Sequence, residues 1–321
     1  MSEGVAVVAG AGGFIGGHLV RDLVEKGWTV RAVDQKPLDE WYQHLDGVQE
    51  LQLDLRLADA CAEAVEGTDR VYDLACDMGG MGFIETHKAD CMVSVLIGTH
   101  LLLASRDAGV GRFFFSSSAC VYAAEKQTST EVLALHEQDA YPAMPEDGYG
   151  WEKLFIERMC RHAREDYGLE TRIARYHNVY GPQGAYDGGR EKAPAAICRK
   201  VAAAVRSGDH RIEIWGDGEQ TRSFTYIDDC LTGTHLVTDG DNHDPVNVGS
   251  AELVSINQLV DLVEGIAGAQ LDRSYRLDAP QGVRGRNSDN TLVRELYDWE
   301  PTTSLQDGLE TTYRWIYDQL P

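Results

Sequence analysis

Short apolar runs alternate with amphipathic segments along the first half of the chain. Val5–Ala9 is wholly apolar and ends at Gly10, which is typical of a buried strand, and residues 18–26 carry apolar positions at helical spacing up to Gly27. Further strands are predicted at 30–34, 49–53, 70–74 and 112–116, with helical stretches between them. Strands that alternate with helices indicate a parallel sheet covered on both faces.

After about residue 178 this alternation becomes irregular, and glycine-rich loops replace it. A strand predicted at 246–249 brings the chain back to the sheet, and residues 305–320 have the pattern of an amphipathic helix. We therefore predict an α/β protein with a doubly wound parallel sheet (Rossmann) and a smaller C-terminal substrate-binding lobe. The dinucleotide domain is expected at 1–178 plus about 220–257, and the lobe at 179–219 and 258–321.

The composition predicts the cellular compartment and excludes some classes of binding partner. Among 321 residues, 29 basic and 52 acidic side chains give a net charge of −23, which repels nucleic acid and anionic lipid, so neither is expected as a partner. No apolar run approaches the roughly 20 residues that span a bilayer, and the N-terminus lacks signal-peptide features. Seven scattered cysteines without Cys-x-x-Cys spacing predict no disulfide framework, no metal site and a reducing cytoplasm.

A glycine motif, Gly10-Ala-Gly-Gly13-Phe14-Ile15-Gly16, joins the first predicted strand to the first helix. In that context the glycines let the backbone approach a pyrophosphate at the helix N-terminus. Asp34 closes the second strand at the position of a ribose-binding carboxylate, which would repel a 2′-phosphate and therefore favours NAD over NADP. Asp54 and Leu55 are candidates for the adenine edge. The alternatives are a plain strand-to-helix turn and an ordinary strand-end acid.

Tyr149 and Lys153 lie four positions apart in a helical stretch and so share one helix face. A lysine charge would lower the pKa of the phenol and make it a base. Ser118, at the end of a predicted strand, is a candidate to bind the reacting oxygen and complete the triad. The pair alone also fits an ordinary exposed helix face.

At this point the sequence resembles the extended short-chain dehydrogenase/reductase family, essentially over its whole length. Within that family it is similar to the GDP-mannose 3,5-epimerases. The stretches that carry the likeness, of which the first, fourth and last are specific, are residues 77–83, 118–122, 175–182, 188–194, 215–224 and 282–289.

The resemblance implies a reaction cycle. Tyr149 would remove the proton of the C4 hydroxyl while NAD takes the hydride, and the 4-ketone would acidify the hydrogens on C3 and C5. Cys120 and Lys192 match the family's acid–base pair, which inverts these carbons. Related dehydratases carry Asp-Glu where this chain has Ala119-Cys120. A thiol suits base chemistry if a cation such as Lys192 lowers its pKa; the alternative is a small buried core residue.

The resemblance also implies a substrate site. Arg222, Arg284 and Arg286 are candidates to clamp a pyrophosphate, because guanidinium offers paired donors, although each also fits a surface ion pair. Lys192 also fits an ordinary solvated lysine. The remaining candidates to contact the sugar nucleotide are Gly79, Gly80, Met81, Gly82, Ser118, Asn178, Glu191, Lys192, Ala193 and Ser288.

Three functions stay open on the sequence. The first is 3,5-epimerisation of GDP-mannose or a close GDP-sugar, and the second is a 4-epimerase or single-site epimerase acting on another nucleotide hexose or heptose. The third is a cofactor-sensing regulator, although such proteins typically lose the tyrosine–lysine pair. Members of the family are usually homodimers, so the resemblance implies a homodimer. The chain departs from the family's pattern at several positions. Ala123-Ala124 stands where the family usually has a proline, and Trp151 stands where it usually has an aliphatic residue. Residues 123–145 also differ in detail from the family, and they lie where a loop could touch the sugar.

Overall fold

The computed structural model describes residues 3–131, 133–146 and 148–321. All the strands predicted above are confirmed within a residue or two. The strands are β1 Val5–Ala9, β2 Thr29–Asp34, β3 Gln49–Gln52, β4 Arg70–Asp73, β5 Arg112–Ser118, β6 Thr171–Tyr176, β7 Val179–Tyr180, β8 Arg211–Trp215, β9 Thr221–Ser223, β10 Thr225–Tyr226, β11 Val246–Val248, β12 Leu253–Ser255, β13 Asp272–Arg276 and β14 Gly285–Arg286.

Helices follow most of the strands. They are α1 Phe14–Glu25, α2 Ala58–Val65, α3 Met81–Thr86, α4 Lys88–Val93, α5 Val95–Ala108, α6 Tyr149–Tyr167, α7 Ala193–Ser207, α8 Ile227–Asp239, α9 Ile256–Ala267, α10 Thr291–Tyr297 and α11 Leu305–Gln319.

The predicted doubly wound sheet is confirmed. Seven strands lie in the order β11-β6-β5-β4-β1-β2-β3, and every neighbouring pair is parallel. Strand order reverses between β1 and β4, and this switch point opens a crevice at the carboxyl ends of the strands. The glycine motif follows β1, and the segment 74–80 follows β4, so both lie at this crevice.

Alternation along β1 shows how the sheet is buried on both faces. Ala6 and Val8 pack in the core beneath α1 and α8, whereas Val7 and Ala9 pack beneath α2, α5 and α6. Side chains point to opposite faces at successive strand positions, so a wholly apolar strand requires cover on both sides.

Smaller sheets and three packed helices form the structure beyond the main sheet. β8 pairs with β13, β9 lies between β12 and β14, and β7 pairs with β10. α7 packs against α9 and α11. The division into two domains at the residue numbers given above stays a prediction.

The sequence predicts no apolar run close to the length of a membrane span, but one helical stretch of the structure has that length and apolar character. Lys88–Ala108, which comprises α4 and α5, is long and apolar enough to span a membrane by length and composition alone, with a mean hydropathy of 1.3. In the fold it packs against α2 and α6, and 39% of its apolar window is buried. Its place is that of a core helix with one face uncovered.

Candidate active site

A cavity of about 690 Å³ opens at the switch point of the sheet. Pockets that hold small molecules and cofactors measure about 300–1,000 Å³. The walls of this cavity come from the carboxyl ends of β1, β4 and β5 and from loops of the C-terminal half. The cavity thus brings residues from both halves of the chain together.

The glycine motif fits a dinucleotide. Gly10 has φ +85°, and a Cβ on Gly16 would lie 2.1 Å from the carbonyl oxygen of Gly10. Helix α1 begins directly afterwards without a side-chain cap and with no acidic residue in its first turn, so its N–H groups are free to bind an anion. The motif's Gly10, Gly13, Phe14, Ile15 and Gly16 all line the cavity.

Asp34 lies at the end of β2 on the cavity wall. Its carboxylate accepts hydrogen bonds from the backbone N–H groups of Gly12 at 3.1 Å and Lys36 at 3.0 Å. Burial raises the pKa of Asp34. Asp54 forms an ion pair with Arg56 at 2.7 Å, and both Asp54 and Leu55 line the cavity. The three predicted residues therefore lie on the wall of one cavity.

Ser118 and Tyr149 meet in the cavity. Ser118 ends β5 and accepts a hydrogen bond from the N–H of Cys120 at 3.2 Å, and it lines the same cavity as Tyr149. Tyr149 is the first residue of α6. The helix approaches the backbone of Cys120 closely because Gly150 has no side chain: a Cβ at this position would lie 2.3 Å from the carbonyl oxygen of Cys120.

Lys153 lies one helical turn beyond Tyr149 and is buried behind the cavity wall. Its Nζ is 5.6 Å from the centre of the Tyr149 ring and has no hydrogen-bond partner among the described residues. Burial disfavours its charge, but Cys76, Glu152 and Asp73 outweigh this and raise the pKa of Lys153. The ammonium therefore remains charged beside the phenol.

The expected pKa of Tyr149 is wrong for the free protein. The sequence predicts a lowered value because of the neighbouring lysine. In the structure, burial raises the pKa of Tyr149 well above its usual value, and the nearby Cys76, Cys120 and Glu152 add to this. Tyr149 is a neutral phenol in the resting protein.

The expected pKa of Cys120 is wrong in the same direction. Burial and the Glu146 carboxylate raise the pKa of the Cys120 thiol to about 11, while Arg286 opposes them. The hydrogen-bonded cation at the thiol is Arg286, whose Nη1 lies 3.5 Å from Sγ, rather than Lys192. Cys120 therefore lines the cavity as a protonated thiol.

Two of the three specific stretches, 77–83 and 188–194, pack against each other. The N–H of Gly80 donates to the carbonyl of Arg190 at 3.0 Å, and a Cβ on Gly80 would lie 2.2 Å from the carbonyl oxygen of Glu191. Arg190 pairs with Asp77 at 2.7 Å. The glycines of residues 77–83 thus let residues 188–194, which include Lys192, pack at the cavity wall.

Lys192 precedes α7 and lines the cavity with both neighbours, Glu191 and Ala193. Burial lowers the pKa of Lys192, so its amine loses its proton more readily than a solvated lysine. Asn178, held at φ 43° with its amide donating to the carbonyl of Ser223, lines the same space. The other lining residues of the predicted substrate set are Gly79, Gly80, Met81, Gly82 and Ser118.

The three arginines lie in different places. Arg222 and Arg286 are buried and line the cavity, and burial lowers the pKa of Arg222 to about 10. Arg284 lies outside the cavity wall in a paired contact with Asp217 at 2.8 Å. Ser288 is buried, donates its hydroxyl hydrogen to Asn290 and also lies outside the wall.

Sequence reasoning missed two residues that hold the site. Gln127 accepts from Nε of Arg286 at 2.6 Å, and the carboxylate of Glu146 lies 2.9 Å from Nη2 of the same guanidinium. Neither residue belongs to a motif. Of the residues that the structure describes between Cys120 and Tyr149, none lines the cavity. Gln127 and Glu146 reach the site through Arg286, and the N–H of Glu146 also donates to the carbonyl of Cys120 at 3.1 Å.

The model of the NAD dependent epimerase/dehydratase family matches residues 6–249. GDP-mannose 3,5-epimerase 1 of Oryza sativa subsp. japonica is 46% identical over 314 residues, which cover 98% of this chain and 82% of the relative. GDP-mannose 3,5-epimerase of Arabidopsis thaliana is 44% identical over the same shares.

Among solved structures, the UDP-glucuronic acid 4-epimerase of Bacillus cereus in complex with UDP-glucuronic acid and NAD is similar with a TM-score of 0.84 and 26% identity. The likeness covers 98% of this chain and 100% of that one.

Proposed function

Because the chain belongs to the NAD dependent epimerase/dehydratase family, we propose that it inverts C3 and C5 of a GDP-sugar resembling GDP-mannose through a transient 4-ketone. The observation that carries this proposal is one cavity lined by two sets of groups: Ser118 with Tyr149, and Cys120 with Lys192. The first set suits oxidation of a hydroxyl, and the second suits proton transfer at the neighbouring carbons.

The first set acts at the C4 hydroxyl. Ser118 lines the cavity with Tyr149 and is placed to bind the reacting oxygen. Tyr149 takes the hydroxyl proton, and the charge of Lys153 stabilises the phenolate as it forms. The glycine loop and Asp34 would hold NAD, which when bound accepts the hydride from C4 and later returns it.

The second set acts once C4 is a ketone. Hydrogens on C3 and C5 are then acidic because each carbanion is an enolate. In a mannose ring these two hydrogens point to the same face, so one base and one acid serve both carbons. Cys120 follows β5 and Lys192 precedes α7, so the two groups reach the cavity from different elements.

One feature supports a GDP-sugar, and a second supports a nucleoside diphosphate sugar more generally. The relatives at 44–46% identity are named GDP-mannose 3,5-epimerases and are matched over 98% of this chain. Arg222 and Arg286 supply two buried guanidiniums at the cavity wall, in a chain whose net charge of −23 otherwise repels anions. Their local charge would receive a pyrophosphate.

A substrate panel tests the proposal. The purified protein, supplied with NAD, is incubated separately with GDP-mannose, UDP-glucose, UDP-glucuronic acid and dTDP-glucose, and the products are assigned by NMR. We expect conversion of GDP-mannose to sugars inverted at C3 and C5. Inversion at C4 alone, on any of these substrates, would establish the 4-epimerase alternative instead.

Asp34 is expected to determine the choice of dinucleotide. Asp34→Ser removes the carboxylate that accepts from ribose hydroxyls and repels a 2′-phosphate. We expect NAD affinity to fall about tenfold, as for loss of a charge-assisted hydrogen bond, while NADP affinity rises. Titration calorimetry with both dinucleotides measures this, and Asp39→Ser, on the exposed turn after β2, serves as the control. An unchanged NAD-to-NADP ratio would contradict the assignment.

We also propose that the protein is a homodimer joined through α4, α5 and α6. Met92, Val93 and Leu96 are 42–48% exposed, and Trp151 and Phe155 on the adjacent α6 are 41% and 49% exposed. The last two lie four positions apart on one helix face. A second copy would cover these five exposed apolar side chains.

Charges placed in this patch are expected to separate the subunits. Leu96→Asp combined with Phe155→Asp would bury two carboxylates in the interface, so the variant should sediment as a monomer. Leu277→Asp replaces a 66% exposed leucine elsewhere and should sediment like the unmodified protein. An unmodified protein that is monomeric at micromolar concentration would refute the proposal.

A reducing compartment fits the thiols. All seven cysteines are free, and five of them are fully buried. Since disulfides are the rule in oxidising compartments, we propose the cytoplasm as the location.

A further inference from the structure

Gln183 has a backbone conformation that its side chain does not favour. Its φ is +63°, in the left-handed region, where the other non-glycine residues of the described chain are Asn178 and Asp298. Asparagine and aspartate tolerate this region because their short polar side chains hydrogen-bond locally, and glutamine lacks that compensation. Such strain persists only where the surrounding structure imposes it, and it is concentrated at ligand-binding positions.

The loop that contains Gln183 is fixed against the start of α1. Nε2 of His18 forms a hydrogen bond with the carbonyl of Pro182 at 3.0 Å. A Cβ on Gly181 would lie 3.2 Å from the ring of Phe14, which is the first residue of α1 and follows the glycine motif directly. The loop therefore lies beside the helix N-terminus that suits the pyrophosphate of a dinucleotide.

The side-chain oxygen of Gln183 has no protein partner. Oε1 is shielded from solvent and forms no hydrogen bond with residues 3–131, 133–146 and 148–321. Gln183 and Gly184 line the same cavity as the glycine motif. An unpaired buried oxygen is costly, as is a strained backbone. Both costs at one cavity-lining residue indicate a ligand that brings a hydrogen-bond donor.

Only part of a dinucleotide can supply that donor. The oxygens of the pyrophosphate carry no hydrogen and cannot donate. The hydroxyls and the amino group of the adenosine half are assigned above to Asp34, Asp54 and Leu55. The donors that remain are the hydroxyls of the nicotinamide ribose and the N–H bonds of the nicotinamide carboxamide.

We propose that Gln183 is a cofactor-binding residue whose carboxamide oxygen accepts a hydrogen bond from the nicotinamide half of NAD. In a cycle that removes and returns a hydride, one dinucleotide must stay bound from the first transfer to the second. The contact at Gln183 slows its release during that interval. The inference concerns the binding of NAD and does not depend on which sugar is inverted.

Two substitutions separate the hydrogen bond from the strain. Gln183→Gly removes the carboxamide and adopts φ +63° freely, whereas Gln183→Leu removes the carboxamide and keeps the strain. We expect both full-length variants to bind NAD about fivefold more weakly than the unmodified protein in titration calorimetry, as for loss of one hydrogen bond. Without dinucleotide, Gln183→Gly should melt about 2 °C higher than the unmodified protein, and Gln183→Leu should not.

Asp298→Gly is the matched control. Asp298 has φ +49° at the end of α10, is exposed and lies outside the cavity wall. This variant relieves the same kind of strain, so its melting temperature should also rise. Its affinity for NAD should equal that of the unmodified protein.

Fragments of NAD locate the contact. ADP-ribose keeps the second ribose but lacks the nicotinamide ring, and ADP lacks both. We expect Gln183→Leu to bind ADP as the unmodified protein does. A loss of affinity for NAD and ADP-ribose together assigns the contact to the ribose hydroxyls, and a loss for NAD alone assigns it to the nicotinamide carboxamide. Either result supports the proposal.

Unchanged NAD affinity in both variants would overturn the proposal, and so would an equal loss of affinity for ADP. A loss confined to Gln183→Gly would overturn it too, because backbone rigidity rather than the carboxamide would then support binding. Gln183→Ala replaces Gln183→Leu if the larger apolar side chain prevents folding. These measurements use no sugar, so their failure leaves the proposed function standing, and a protein that exchanges no deuterium leaves this inference standing.

Discussion

Tyr149→Phe is expected to lower turnover of GDP-mannose by about a thousandfold, because loss of a positioned general base typically costs 10²–10⁴ in rate. The ring of Tyr149 is buried at the start of α6, and the substitution removes only the phenolic hydroxyl. Both the oxidation at C4 and the later inversions should be lost, since no 4-ketone forms. Product formation and NADH absorbance, followed together, measure the two losses.

Tyr186→Phe is the matched control. Tyr186 packs edge-on against Trp315, away from the serine–cysteine corner of the cavity. We expect this variant to keep the turnover of the unmodified protein, and both variants to bind NAD normally. If Tyr149→Phe kept its turnover, the assignment of the oxidising base would have to be abandoned.

Cys120→Ala is expected to separate the two halves of the cycle. Ser118, Tyr149 and Lys153 remain, so the hydride should still leave C4 and NADH should still appear on mixing with GDP-mannose. In the proposed cycle inversion requires proton transfer by Cys120, so solvent-deuterium incorporation should fall by about 10²–10⁴-fold. Rapid-mixing absorbance and mass spectrometry of the recovered sugar report the two steps separately.

Cys198→Ala provides the comparison for Cys120→Ala. Cys198 is equally buried but lies in α7 among core residues, so its loss should reduce stability without changing the ratio of the two rates. Deuterium incorporation by Cys120→Ala at the rate of the unmodified protein would show that the thiol transfers no proton.

Much of the fold was predictable because apolar runs of the sheet are uninterrupted. β1, β2 and β4 were all predicted to within a residue of their bounds. β6 was missed because Arg172 and Arg175 interrupt its apolar pattern. Arg175 is buried nonetheless, since it forms a bidentate pair with Glu157 of α6 at 2.7–2.8 Å. A buried ion pair between distant segments leaves no local pattern in the sequence.

The site was predictable as a set of residues but not as an electrostatic environment. Motifs singled out Ser118, Tyr149 and Cys120, and all three line the cavity. The pKa directions of Tyr149 and Cys120 were wrong, because burial depends on the whole fold and outweighs a nearby charge. Glu146 could not be found from the sequence, since its contact with Cys120 arises only when the segment before α6 folds back on β5.

Incubation with GDP-mannose in D₂O tests the central claim most directly. The unmodified protein, loaded with NAD, should place deuterium at both C3 and C5 of the recovered sugars, because each inversion exchanges a carbon-bound hydrogen with solvent-derived protons. Absence of deuterium from both carbons, with the protein folded and NAD bound, would contradict the account.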